Sequence, residues 1–448
     1  MALGRQGERQ TELMVGWAEL PRSPGHAFYD RLQAVLVEAG FDGFAEGQCA
    51  PYYAAKRGRP SIPPGRYFRM HLVGYFEGID SERGLEWRCS DSLSLRDFLR
   101  LGTTEPAPDH SWLSKTRARL PLEVHEAVFA WVLERLAEHG LIKGERIGVD
   151  ASTMEANAAL RAIVRREDGE SYRAMLERLA KASGIATPKA EDLVRLDRKR
   201  KGKRLSNAEW VSPTDPEARI AKLKDGRTRL AYKPEHAVDL DTGAIVAAKV
   251  HGADQGDTAT LPDTLEAAAA NLATVAAAPS AEEPSELIAD KGYHSRDGLK
   301  DLEDGPWKSR IAEKKGTGVS RWRGDAEARR AVYNNRARLR SGVAKEAFRL
   351  RAERSFALIL DRGGMRRAWL RGRDNLHKRY LVHVAGYNLG LVMRLLVGAG
   401  TPREFLAGAS AHLLLLAAAD NATLIILIVA TSTETAVLAI NFEPEPPN

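Results

Sequence analysis

Apolar residues recur at helical spacing through the first third of the chain. After Pro24-Gly25, Phe28, Leu32, Val35, Leu36 and Ala39 share one face, and Gly40 closes the run. The Pro/Gly-rich stretch from Arg57 to Gly65 separates this helix from another starting near Arg66. Asp109 has the chemistry of an N-cap for a helix from Ser111 to Leu120, with Ser111, Ser114 and Arg117 on one polar face. Val124, Val128, Trp131, Val132 and Leu136 then mark a helix from Leu122 to Glu138, stopped by Gly140. The pattern predicts an all-helical N-terminal region over residues 1–140.

The texture changes at Arg146-Ile147-Gly148-Val149-Asp150, a short apolar run that reads as a buried strand with a carboxylate at its C-terminal end. Residues 152–210 return to a helical pattern and end near the basic run Arg198 to Arg204, so a helical and basic insertion is expected over about 152–230. His236 to Leu240 and Ala244 to Val250 flank Asp241-Thr242-Gly243, which predicts a β-hairpin. An Ala/Leu-rich helix follows from Leu261 to Ala277. Leu287-Ile288-Ala289-Asp290 is a second buried strand ending in an acid. After a short strand over Ser309 to Ala312, a long helix carries Phe348, Ala352, Phe356 and Ile359. This order predicts an α/β domain on a mixed sheet over 141–398, with a helical insertion after the first strand. From residue 399 the chain is a hydrophobic tail. Its apolar runs, Leu413 to Leu416 and Leu424 to Val429, are interrupted by Asp420 and by Thr431 to Glu434. A membrane helix needs about 20 mainly apolar residues, so packing on the body or a tail of no definite fold is expected, and no membrane partner.

Composition refines this picture in two places. A chain of 448 residues implies two or three units. The net charge of +7 is unevenly spread: Lys308 to Arg379 holds 22 Lys/Arg against 7 Asp/Glu, a balance of +15 that leaves about −8 elsewhere. A basic stretch on an otherwise acidic chain points to phosphate backbones, with a solvated helix face as the alternative. Cys49 and Cys89 form no CxxC pair, so neither a disulfide framework nor a structural zinc site follows, and a reducing compartment fits. Met1 to Glu19 has no apolar run of signal-peptide length, so a cytoplasmic, nucleoid-associated location is expected.

The informative chemistry is the pair of strand-end acids. If their strands are neighbours, Asp150 and Asp290 meet at one sheet edge and can share divalent cations. Mg²⁺ takes hard oxygen ligands, usually one or two carboxylates plus phosphate oxygens, and a pair of ions about 3.5–4 Å apart can activate water and stabilise a leaving oxygen. Turn or capping roles remain the alternative for both acids. Asp239, Asp254 and Asp257 are further candidates for a metal, with turn and cap roles favoured. His236 is either a phosphate contact or a satisfied hairpin histidine.

Residue identity narrows the choice. Ile147-Gly148-Val149-Asp150-Ala151-Ser152-Thr153 and Ile288-Ala289-Asp290-Lys291-Gly292-Tyr293 resemble the motifs around the first and second acids of DDE insertion-sequence transposases, in the insertion-sequence-4/5-like group. Arg349-Leu350-Arg351-Ala352-Glu353-Arg354-Ser355-Phe356 is similar to the third, where Arg precedes the helix-borne Glu by four residues. Gly363-Gly364-Met365-Arg366-Arg367, Tyr387-Asn388-Leu389, Tyr75 to Glu82 and Asp109-His110-Ser111 resemble the same group, so the likeness runs over roughly 60–395. It implies an RNase H-like catalytic domain after a helical DNA-binding domain, with Asp150, Asp290 and Glu353 as catalytic, metal-binding triad. It also implies Mg²⁺ as working metal, with Mn²⁺ as substitute. The substrate would be double-stranded DNA, at the element's terminal inverted repeats and at a target, bound by a homodimer. Tyr293, Arg349, Arg366, Arg367 and Arg371 are the expected DNA contacts, with packing as the alternative for Tyr293. The pattern departs from some relatives at Glu346, where they have Tyr, and at Leu360, where they have Lys. The rival readings are a nuclease on the same fold and a catalytically inactive or domesticated DNA-binding protein of transposase origin.

Overall fold

The computed structural model describes residues 25–54, 61–102, 104–200, 205–223, 225–313, 322, 325–339 and 348–407. Among these residues seven helices come first: α1 (Gly25–Glu38), α2 (Phe41–Cys49), α3 (Pro64–Glu77), α4 (Glu82–Asp91), α5 (Leu93–Phe98), α6 (His110–Arg119) and α7 (Leu122–Glu138). Side-chain caps start three of them. Ser81 accepts from the Gly84 amide, Ser92 from Leu95, and Asp109 from Ser111 and Trp112, satisfying N–H groups that a helix start leaves unpaired. The predicted apolar faces converge on a shared aromatic core, with Phe28 edge-on to Phe76 and Phe41 against Trp131. Of the polar face of α6, Arg117 turns inward, where it is buried, pairs with Glu82 and donates to Ser114 Oγ, while Ser114 itself stays exposed.

Among the described residues the second half holds nine strands: β1 (Arg146–Ala151), β2 (Met154–Glu155), β3 (Val164–Arg165), β4 (Trp210–Val211), β5 (Arg219–Lys222), β6 (Thr228–Asp239), β7 (Ile245–Gly252), β8 (Ser285–Ala289) and β9 (Trp307–Ile311). The central order is β7-β6-β1-β8-β9, with β2 and β5 also pairing with β6. β7, β6 and β1 run antiparallel, whereas β1, β8 and β9 are parallel. The mixed sheet expected from the sequence is present. The stretch after β1 is less helical than its pattern suggested. It holds α8 (Tyr172–Ala182) and α9 (Ala190–Lys199), but β2 joins the main sheet and β3 pairs with β4 in a separate ribbon. Residues 201–204 of the basic run lie outside the described residues.

Each face of the sheet has its own apolar cover. On one side Ile147, Val149, Ala237 and Leu287 meet Leu261 and Leu265 of α10 (Asp257–Thr274) and Val332 of α12 (Ala326–Arg338), with α11 (Arg296–Leu302) alongside. On the other, Val238 and Ile288 join a core that includes Phe348, Phe356, Tyr380 and the N-terminal helices. The strand period of two decides this division, since alternate residues of β1 and β6 serve opposite faces. The last long helix, α13 (Arg373–Val397), packs against both α7 and α3 as well as β7, so it ties the two halves together. The segment Arg373–Ala407 is long and apolar enough to cross a membrane, yet 67% of its apolar window is buried inside the protein, as in a core helix. The hydrophobic runs beyond residue 407 lie outside the described residues.

Candidate active site

The parallel register of β1 and β8 pairs Val149 with Ala289. Asp150 and Asp290 are the next residue on each strand, so they leave neighbouring strands at the same level and the same sheet edge. Asp150 is half-buried and Asp290 exposed. Asp290 Oδ1 accepts the Lys291 amide at 2.7 Å and caps a single 3₁₀ turn, Lys291–Tyr293.

The third acid lies on the helix that covers this face. Phe348 of this helix packs over Gly148, where a Cβ would come within 3.2 Å of the Phe348 ring and 2.7 Å of the Leu240 side chain, so a larger residue would have to push both aside. The sequence predicted a regular helix. Instead two π-helical stretches, Arg349–Glu353 and Ala357–Arg362, flank a short α-helical piece, Arg354–Phe356. Bonding from i to i+5 widens the helix at Glu353, and such bulges recur at functional sites. Glu353 is exposed, while Ala352, Ser355, Phe356 and Ile359 face inward. The Arg349 side chain and residue Glu346 lie outside what is described.

His236 fastens this helix to the strand. It is the cross-strand partner of Asp150 and is fully buried. Its ring stacks on Phe356 at 4.1 Å between centroids, with an interplanar angle of 4°. Ser355 Oγ donates to the Ala352 carbonyl at 2.7 Å, so His236 Nδ1–H donates to Ser355 Oγ at 2.8 Å. Nε2 therefore accepts from the Tyr380 hydroxyl at 2.7 Å. Burial lowers the His236 pKa to about 3, which keeps the ring neutral. The satisfied-histidine reading holds, and the phosphate-contact reading is corrected, because the ring has no exposed edge.

Several expected contacts are occupied within the fold. Tyr293 is buried and its hydroxyl donates to Glu235 at 2.8 Å, with burial and then the Glu235 charge raising its pKa. Asp239 accepts from the amides of Lys143, Gly144, Asp241 and Thr242, a turn role. Asp254 pairs with Arg219, and Asp257 with Lys233 at 2.7 Å. Arg366 forms a two-pronged pair with Asp361, Arg367 lies 5.0 Å over the Trp369 ring, and Arg371 is exposed with no carboxylate partner among the described residues. The basic zone is also less free than its local count implied. Arg310 pairs with Glu286, Arg338 with Glu303 and Arg373 with Glu217, acids that come from outside the zone.

The recurrent motifs meet in space. Gly78 has φ 69°, and a Cβ there would lie 2.6 Å from the Arg362 carbonyl. Asp80 Oδ2 accepts from the Trp369 indole at 2.7 Å. The N-terminal motif therefore docks on the turn that follows the third-acid helix. Asn388 bonds both backbone groups of Ile245, and Tyr387 donates to the Gly243 carbonyl, which holds the hairpin turn against α13.

All three predicted ligands are carboxylates, a donor set that suits a hard divalent cation. Among the described residues, no three Asp, Glu, His or Cys side chains are gathered closely enough to hold a metal ion. Sequence reasoning missed Glu235, Lys233, Ser355 and Tyr380. The signal available was the pair Lys233 and Glu235 at alternate positions of β6, with two threonines, Thr260 and Thr264, one turn apart on α10.

Two family profiles match the chain: residues 20–119 match "Transposase domain (DUF772)" and residues 183–389 match "Transposase DDE domain". No curated protein matches, and no solved structure does. Asp290 and Glu353 fall within the second match, and Asp150 lies between the two. The family acts on DNA as polynucleotidyl transferases and nucleases, generally with divalent metal ions. With a helical region matching one transposase profile and a mixed α/β sheet matching the other, in the order the motifs had implied, this chain belongs to the DDE-type insertion-sequence transposases.

Proposed function

We propose that the chain is an active transposase of the insertion-sequence-4/5-like group, with an RNase H-like catalytic domain, that cuts and rejoins DNA at the terminal inverted repeats of its own element. One observation carries this reading: Asp150 and Asp290 leave adjacent parallel strands at one level, and the helix bearing Glu353 is latched to His236, the cross-strand partner of Asp150. The domain division proposed is 1–140, 141–398 and 399–448.

Asp150, Asp290 and Glu353 would hold Mg²⁺, or Mn²⁺ in its place, which when bound supplies charge for water activation and for the leaving oxygen. The other steps belong to the DNA and this chain. Water attacks the scissile phosphorus, the bond to the 3′ oxygen breaks, and that oxygen departs as a 3′ hydroxyl. The freed hydroxyl then attacks a phosphorus of target DNA and expels its 3′ oxygen, so each joining step replaces one phosphodiester with another. No side chain forms a covalent bond to DNA. Arg366, Arg367, Arg371 and Arg349 would position phosphates rather than read bases, and a homodimer would bring two ends together in the cytoplasm at the nucleoid.

The ungathered acids favour one rival, an inactive DNA-binding protein of transposase origin. Incubating the protein with an element-end duplex and plasmid target, with Mg²⁺ or with chelator, separates the readings. Metal-dependent nicking and joined product are expected. Binding that is equal in both buffers, with no nicking, supports the inactive protein, and nicking without joining supports a nuclease.

A further inference from the structure

On the sheet face opposite Asp150, directly behind the acid pair, sits a closed polar cluster. Glu235 is the β6 partner of Ala151 and is fully buried. Burying a carboxylate is costly unless it is paired and hydrogen-bonded, and here both oxygens are engaged. Thr260 donates to Oε1 at 2.8 Å, the Tyr293 hydroxyl donates to Oε1 at 2.8 Å, and Thr264 donates to Oε2 at 2.5 Å. Lys233, two residues earlier and so on the same face, places Nζ 3.5 Å from Glu235 and 2.7 Å from Asp257, with a further bond to Thr260. His251 Nε2 lies 3.6 Å from Glu235 Oε2.

Two adjacent residues of the loop that carries the second acid, Gly292 and Tyr293, reach this cluster. Tyr293 closes the single turn that Asp290 caps, and its hydroxyl is the loop's bond to Glu235. Gly292 lies so close to Asp257 that a Cβ would collide with the carboxylate, so this backbone rests on the first turn of α10. A short loop with one capping bond of its own is thus held by a buried charge network on α10 and β6.

Resting on the transposase reading above, we infer that Glu235, with Lys233 and Tyr293, is a positioning group that fixes the Asp290 loop in the place where Asp290 can share a divalent cation with Asp150. The network does not touch the reacting atoms. It sets where the second carboxylate stands, in the way that partners behind a metal ligand orient it, and losing such partners typically lowers metal affinity about 10- to 100-fold.

The test uses the full chain and the variants Tyr293→Phe and Glu235→Gln, read by hydrogen exchange without metal and by Mn²⁺ binding measured calorimetrically. Tyr293→Phe removes one hydroxyl and keeps the ring, so it preserves the packing if Glu235→Gln fails to fold. The expected result is at least about tenfold faster exchange at the Tyr293 amide, which bonds the Asp290 carbonyl, with β1 and β8 protection unchanged. Mn²⁺ affinity falls about tenfold, while gel-shift affinity for DNA stays within twofold. Wild-type exchange at Tyr293 in Tyr293→Phe overturns the inference, and so does faster exchange with unaltered Mn²⁺ affinity. Wild-type protein that binds Mn²⁺ but never nicks DNA refutes the proposed function alone, because exchange and metal binding are read without catalysis.

Discussion

Replacing His236 by Ala removes the ring that joins β6 to the third-acid helix. Three interactions go at once: the stack on Phe356, the donation to Ser355 and the acceptance from Tyr380. An aromatic pair contributes about 0.5–1.5 kcal/mol beyond its buried area. The Tyr380 hydroxyl is left buried without an acceptor, at about 1–3 kcal/mol, and the ring-sized cavity adds to that. Ser355 loses less, because it still donates to Ala352. The sum is about 3–5 kcal/mol of destabilisation. His236→Phe keeps a ring and loses only the polar partners, so it should cost about 1–3 kcal/mol. In His236→Phe/Tyr380→Phe the orphaned hydroxyl is gone, and part of that cost should return. Urea unfolding of these proteins and of Tyr380→Phe alone gives the cycle, with nicking of an element-end duplex measured on folded protein. Nicking is expected to fall more than DNA binding, because Glu353 is two residues from Ser355. His236→Ala within about 0.5 kcal/mol of wild type, the range of an inconsequential surface change, would refute the clamp.

Other outcomes follow from the same geometry. Arg371→Ala should lower the salt dependence of DNA affinity by about 0.9 in log–log slope, whereas Arg366→Ala should lower it less because Asp361 already holds that guanidinium; equal effects in gel shifts over a salt series count against that pairing. Burial lowers the pKa of His236 and His383 to about 3 and of His125 and His377 to about 4. The native state then binds fewer protons than the unfolded state below about pH 6.5, so stability is retained above that pH and lost as pH falls toward 4, by up to about 1.4 kcal/mol per pH unit for each histidine. Denaturation midpoints flat from pH 7 to 4.5 would contradict their burial as neutral rings. Glu353→Gln should abolish nicking and Glu346→Gln retain most of it; the reverse moves the third acid by seven residues.

The strand-end acids were legible because a buried strand confines a carboxylate to its end, and two such runs, ending at Asp150 and Asp290, stood out of a helical background. Capping at Asp109 was legible for the same local reason. The insertion after β1 was not, since Met154–Glu155 becomes a strand only through pairing with β6, which no local pattern encodes. The π-helical turns at Glu353 escaped periodicity, which assumes 3.6 residues per turn. Charge counting over Lys308 to Arg379 overstated the free basic surface, because the acids that pair with it come from β8, the end of α11 and the turn preceding β5. Tyr293 looked like a DNA contact in the motif, and its true neighbour, Glu235, is 58 residues away in sequence.

The central claim is that Asp150 and Asp290 act as one metal-binding pair. The most direct measurement compares Asp150→Asn, Asp290→Asn and wild type for nicking of an element-end duplex in Mg²⁺, with gel-shift affinity measured in parallel. The amide keeps the shape and removes the charge that a hard cation requires. Both variants are expected to bind DNA like wild type and to leave it uncut, and nicking at a near-wild-type rate by either one contradicts the account.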